Sequence, residues 1–457
     1  MNVRWRKVAG IVACLAIGAV ARNAGAFDEA AFVEWARSRA VMLPAAGASG
    51  EHAWKESMRR SVGAARVVAL GEPAHGAHEP LAFRNRLLAY LVEELGFTAI
   101  ALESGFGESQ RLCEYVMGAP GDAVELARTG FTWGFGAYGE NAELLRWIRE
   151  YNDDPAHRRK VRIYGIDLTG GDGDRFQGSR IALDQALAYL AGSAPQAHRA
   201  LRAEIEPFLA RFTRTGYLEL GAGERRKLRS VIERLITVFD EQRESLLAAT
   251  SSDSYEWARH NAVSALQLEE FFRLWPAEAP PDRVSVEFMD AGIARDAAMA
   301  ANVQWAMERE GPSGRLMLFA HDAHVMSTPL TGGIWSIYPR PLTVMGQRLH
   351  AALGDQDLLI VATASLENGP GLPARPAGSG SLDLALGGVS RSPFLLDVRG
   401  EKSDGAAAWL ASPQTLAVNF DTEERLAPST AFDVVVMLGR LNPAAKSEAA
   451  EQTPAAR

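Results

Sequence analysis

Residues 66–79 read RVVALGEPAHGAHE, and the fold turns on this stretch. An aliphatic, β-branched run from Arg66 to Leu70 ends at Gly71, and Glu72, His75 and His78 follow at once. A short, wholly apolar run closed by glycine predicts a strand buried on both faces. Residues 81–95 (LAFRNRLLAYLVEEL) then place Leu81, Leu87, Leu88, Leu91 and Leu95 near one helical face, and Gly96 stops the helix as a left-handed cap does. The same alternation recurs further along the chain. Thr98–Leu102 precedes a helix near Glu108–Met117, and Val161–Ile166 follows a helix around Glu140–Tyr151. Arg315–Phe319 follows a helix over 290–310, with later strands at Leu358–Ala362 and Phe432–Leu438. Strands without a polar face, interleaved with helices, predict an α/β fold: a mostly parallel central sheet flanked by helices.

Between the third and fourth strands the spacing stays helical for about a hundred residues, rich in Leu, Ala, Glu and Arg. This predicts a helical insertion subdomain over 181–280, left at Pro280-Pro281, between a first part of the core (27–180) and a second (281–441). Residues 365–390 carry the Gly, Pro and Ser of a loop, and 442–457 the small polar composition of a disordered tail. The 457 residues are 47% hydrophobic and 23% charged, which excludes a disordered or fibrous chain. A net charge of −8 disfavours nucleic acid as a partner, since phosphate binding needs a basic surface.

Residues 1–26 have the make-up of an export signal: Arg4, Arg6 and Lys7, an apolar stretch from Val8 to Val20, then Ala24-Gly25-Ala26. The expectation is a periplasmic or secreted protein with no stable membrane insertion once the signal is cleaved. Cleavage removes four basic residues, taking the charge from −8 to −12, and leaves Cys113 as the one cysteine, a buried small hydrophobe without a disulfide partner. Stability must then come from the core.

The chemistry is positional. Glu72, His75 and His78 follow the first strand, Glu103 the second, Asp167 the third, and His321 and His324 the fourth. In a parallel sheet those carboxyl ends share one edge, where ligands bind. Four of the nine histidines fall in these two clusters, which favours a site over scattered surface residues. No serine stands in a G-x-S-x-G elbow and no phosphate-binding glycine loop is present. A His/Glu edge instead suits activation of water: an imidazole titrating near neutrality takes a proton, a neighbouring carboxylate orients it, and a cation such as Arg84 stabilises an oxyanion. Two other readings stand beside it. His75, Glu103, His321 and His324 could ligate a divalent ion in a metal-dependent hydrolase or peptidase. Alternatively, the edge and the aromatic Trp133, Phe135 and Tyr138 could hold haem or another ligand without catalysis.

At these residues the chain resembles the erythromycin esterase family. The shared pattern is G-E-x-x-H-G-x-x-E at Gly71–Glu79, Gly96-Phe97 leading to Glu103, and W-x-R-x-Y-N at Trp147–Asn152. It continues with Y-G-x-D at Tyr164–Asp167, R-D-x-x-M-A-x-N at Arg295–Asn302 and H-x-A-H at His321–His324. The resemblance implies hydrolysis of an ester, notably a macrolide lactone and so a possible link to antibiotic resistance, by histidine-activated water with no obligatory metal and no cofactor. It implies His75 as general base beside Glu72, with Arg84, Glu103, His321 and His324 as further catalytic residues. Asp167, Glu79 and Trp133 go with substrate binding, Asp167 as an orienting group, and His78 is at most a rim residue. The partner implied is a small-molecule ester or lactone.

Overall fold

The structure, a computed structural model, describes residues 29–171, 176, 178–275, 286–372, 381–418 and 422–446. The export segment, Pro280-Pro281 and the end of the tail lie outside the described residues. Eight strands form the central sheet: β1 (Val41–Met42), β2 (Val67–Glu72), β3 (Ala99–Gly105), β4 (Arg162–Asp167), β5 (Leu316–His321), β6 (Leu358–Ala364), β7 (Phe394–Asp397) and β8 (Val434–Met437), in the order β1-β7-β8-β6-β2-β5-β3-β4. From β8 across to β4 every pairing is parallel. Only β7 runs against its neighbours β8 and β1. The sheet is therefore the mostly parallel one that the apolar runs predict.

Strand β4 runs one residue, and β2 and β5 two residues, beyond the apolar runs, so that β2 ends on Glu72, β4 on Asp167 and β5 on His321. All residues of β2, β3 and β5 are buried, as an interior strand covered on both faces requires. Each fully buried Val, Leu or Ile here contributes about 1.5–3 kcal/mol relative to exposure. Helix α1 (His78–Leu95) follows β2 and buries Leu81, Leu87, Leu88 and Leu91 against the sheet. It ends where expected: Gly96 takes φ 73° and its amide donates to the Leu91 carbonyl. Helix α2 (Gly139–Asp153) leads into β4.

Residues 181–274 are helical almost throughout and gather a second hydrophobic core, with Ile205, Phe212, Ile232, Phe239 and Leu268 at its centre. The last of these helices, α3 (Ser252–Leu274), packs on α4 (Val286–Glu310), which returns the chain to β5. A buried polar chain crosses that contact: His260 Nε2 lies 2.8 Å from Asn302 Oδ1, and Asn302 Nδ2 donates to the Ile166 carbonyl at the end of β4. Burial lowers the His260 pKa to about 4, so this histidine stays neutral.

Two expectations are corrected. The segment 365–390 holds a helix, Leu382–Val389, capped by Ser381, whose hydroxyl accepts the Leu384 amide. Residues 442–446, expected to open a disordered tail, lie hydrogen-bonded against the turn that carries His75. Cys113 is buried and burial pushes its thiol up to about 12. Among the described residues no helix is long and apolar enough to cross a membrane.

Candidate active site

Parallel pairing of β2 with β5 puts Glu72 directly beside His321 at the carboxyl edge. Three residues past Glu72 the chain turns back, and His75 Nδ1 lies 2.6 Å from Glu72 Oε1. A carboxylate facing Nδ1 holds the proton on that nitrogen and leaves Nε2 as the free base. Glu72 is buried, while the His75 side chain is 28% exposed, so the base is reachable and its partner is not. Burial works against the charged imidazole, but Glu72 and Glu103 outweigh it, and the His75 pKa is raised above its ordinary value.

Glu103 is the hub of the edge. Its Oε1 accepts from Arg295 Nη2 at 2.8 Å and lies 3.4 Å from His324 Nε2, while Oε2 accepts the His321 amide at 2.8 Å. Burial would raise this carboxyl, yet the charges of His324, His75 and Arg295 hold it well below its usual range. On its other side the His324 ring places Nδ1 2.9 Å from Asp296 Oδ1. Against the cost of burial, Asp296 and Glu103 push His324 up to about 10, so it is an imidazolium at neutral pH. Arg295 also grips Asp167 with Nε at 2.9 Å and Nη2 at 2.6 Å, a two-pronged pair at the end of β4. Trp133 donates Nε1–H to Asp167 at 2.7 Å, and the guanidinium carbon of Arg295 sits 5.1 Å from the Trp133 ring centre. Trp133 holds this place with φ 60°, an unusual backbone state for a bulky residue.

His321 differs from its neighbours. Its Nδ1 accepts the Ala323 amide at 3.1 Å, and its ring centre is 5.0 Å from that of His75. Burial and the nearby His75 charge keep its pKa well below the ordinary histidine value, so it is neutral.

Beside His75 lies a cavity of about 20 Å³, lined by Glu72, Arg84, Glu103, Phe135, Tyr138 and Asn141 among others. That is room for one water molecule. Phe135 carries the wall to His75, with ring centres 5.0 Å apart. Arg84 is buried, its guanidinium held by Asn85 Oδ1, Asn141 Oδ1 and the Glu140 carbonyl and lying over the Phe319 ring. Burial lowers its pKa to about 10, with Glu72 and Glu140 opposing, so it stays a cation at neutral pH.

The structure thus brings together Glu72, His75, Arg84, Glu103, Asp167, His321, His324 and Trp133. Glu79 is elsewhere: its carboxylate accepts the amide and side-chain N–H of Asn442. His78 lies outside the cavity with Nδ1 2.6 Å from Glu140 Oε1. Sequence reasoning missed Arg295, Asp296 and Asn141, and had Tyr138 only as an aromatic for holding a ligand without catalysis, whereas it lines the cavity beside Glu72. Arg295 and Asp296 open a motif quoted for the family resemblance, but they sit mid-helix, where no strand-end rule singles them out. Among the described residues no three His, Cys, Asp or Glu side chains are placed to hold one metal ion.

Acids, imidazoles and guanidinium groups converging on the carboxyl edge of a parallel sheet define a hydrolase-type centre. The family model for erythromycin esterase matches residues 92–440, and the chain belongs to that family of hydrolases. The match spans Glu103, Asp167, Arg295, His321 and His324, and begins after Glu72, His75 and Arg84. Erythromycin esterase type II of Escherichia coli is 27% identical over 342 residues, 73% of this chain and 77% of that one. The type I enzyme of Escherichia coli is 30% identical over 275 residues, 58% of this chain and 63% of its own. Among solved structures, a Bacillus cereus protein is similar with a TM-score of 0.76 at 23% identity, covering 92% of this chain and 99% of that one. A mutant of the erythromycin esterase EreC in its open conformation gives 0.62 at 23% identity, covering 85% and 94%.

Proposed function

We propose that this chain hydrolyses a carboxylic ester or lactone by direct attack of water, with His75 as general base. The observation that carries the reading is the 2.6 Å Glu72–His75 pair, one member buried and the other partly exposed. His75 Nε2 takes a proton from water as the oxygen adds to the carbonyl carbon. The resulting oxyanion lies in the field of Arg84 and the His324 imidazolium. When the C–O bond breaks, the His75 imidazolium returns its proton to the leaving alkoxide, giving one alcohol and one carboxylic acid. Glu103 and Asp167, fixed by Arg295, hold the charged groups in place. The carboxylates of Glu103, Asp167 and Asp296 are already engaged with Arg295 and His324, which supports the mechanism without metal.

The test is His75→Ala on a panel of chromogenic esters and macrocyclic lactones, with and without chelator. The expected result is loss of about 10²–10⁴ in turnover with an unchanged circular-dichroism spectrum and no effect of chelator on the wild type. Retained turnover in the variant would remove His75 from its role, and chelator-sensitive wild-type activity would favour metal chemistry. Export belongs to the same proposal, and amino-terminal sequencing of protein recovered outside the cytoplasm, with Phe27 first, is its check.

A further inference from the structure

Residues Asn442–Lys446 run across the outside of the His75 turn and join it to the opposite wall of the pocket. On one side, the Asn442 carbonyl accepts the His78 amide at 2.8 Å and Ala444 donates its amide to the Gly76 carbonyl at 2.9 Å. Asn442 also gives its amide and its Nδ2 to Glu79, both at 2.7 Å. On the other side, Ala445 donates to Glu140 Oε1 at 3.0 Å and accepts the Gly139 amide at 2.7 Å. Antiparallel bridges pair Ala77 with Pro443 and Tyr138 with Lys446. The family match stops at residue 440, so this segment lies beyond it.

The turn it clasps has freedom to lose. Gly76 adopts φ 79°, and a Cβ there would come within 2.8 Å of the Tyr138 hydroxyl. Gly76 is the residue after His75, with no helix or regular strand between Glu72 and His78 to set the ring. Glutamate and imidazole are three residues apart, so a change in the turn alters their contact directly.

We propose that Asn442–Lys446 is a positioning strap: it ties the Gly76 turn, which links β2 to α1, to the start of α2 and thereby sets the orientation of His75 against Glu72. The proposal rests on reading His75 as the base. Without the strap the turn samples other conformations, and the field of Glu72 on the imidazole is averaged down. His75 then titrates nearer the ordinary value of about 6.5. A catalytic group displaced by about 1 Å loses up to about a hundredfold in rate, while contacts that bind substrate remain.

The experiment compares the full chain with Ala444→Pro, which deletes the donor to Gly76, and with a chain ending at Leu441. A chromogenic acetate ester reports kcat and KM across pH, and NMR titration of the imidazole protons reports His75 without reference to turnover. For Ala444→Pro the expected result is a kcat lower by about tenfold, KM within about twofold, and an acid limb and His75 titration both displaced to lower pH. The shortened chain should show the same displacement, larger. Folded variants with wild-type kcat and wild-type titration would overturn the strap, and lower thermal stability with unshifted titration would make the segment structural only. If truncation unfolds the chain, Ala444→Pro decides, and Asn442→Ala, which cuts the side-chain bond to Glu79, should give a smaller shift of the same sign. Full activity of His75→Ala alongside a shifted titration in the strap variants would instead sink the base assignment and leave the strap standing.

Discussion

Asp296 Oδ1 lies 2.9 Å from His324 Nδ1 and also accepts the Met345 amide at 2.7 Å. One buried carboxylate on α4 thus fixes the ring that follows β5 and ties down the start of the Met345–Asp357 helix. Together with Glu103 it keeps His324 charged in a setting where burial alone would neutralise it.

That pair makes stability depend on pH with a definite sign. The folded pKa of His324, about 10, lies above the unfolded value, so its contribution is complete below about 6.5 and is lost as pH rises through about 10. Asp296→Asn should cost about 1–3 kcal/mol near pH 6 and much less near pH 10. Urea titrations at the two pH values check this, and an equal cost at both would contradict the assignment.

Glu72 raises the His75 pKa by its charge as well as orienting the ring. Glu72→Gln keeps the shape but removes the charge, so the acid limb of kcat/KM should move to lower pH. Maximal turnover should fall about tenfold or more, as the imidazolium loses its counter-charge. A pH–rate profile decides, and a limb displaced upward would contradict the coupling.

Glu424 is 1% exposed, and neither carboxyl oxygen has a hydrogen-bond partner among the described residues. Burial pushes it up to about 8, with the positive His324 opposing. The folded state therefore holds this proton longer than the unfolded chain, and stability should drop as pH rises from about 4.5 through about 8. Glu424→Gln should remove that drop, leaving the variant about 1–3 kcal/mol more stable than wild type near pH 9. Thermal melts across pH test it; a variant less stable than wild type at alkaline pH would refute the claim.

What the amino-acid order revealed and what it hid have separable causes. Glu72, Glu103, Asp167 and His321 were legible because a parallel sheet places every strand end on one edge, so adjacency to an apolar run sufficed. Arg295 and Asp296 were not, since they lie in the interior of a helix whose rotation about its axis no short pattern fixes. Arg84 was legible as a charge near the motif, but its burial beneath Asn85 and Asn141 depends on α2, some 55 residues later. The 442–446 strap was hidden for a different reason. Its order comes from main-chain hydrogen bonds, which any composition supplies, while its small residues resemble those of an unstructured tail. The helix at Leu382–Val389 is short and flanked by Gly, Pro and Ser, which masked it.

Helix α4 carries the guanidinium that neutralises Glu103 and Asp167, and the same helix is the floor on which α3 rests. The inserted layer and the charge centre are therefore mechanically one piece. A substitution in α3 that shifts α4 would therefore re-aim Arg295, so catalytic power should respond to changes in a layer that supplies none of the residues lining the cavity beside Glu72.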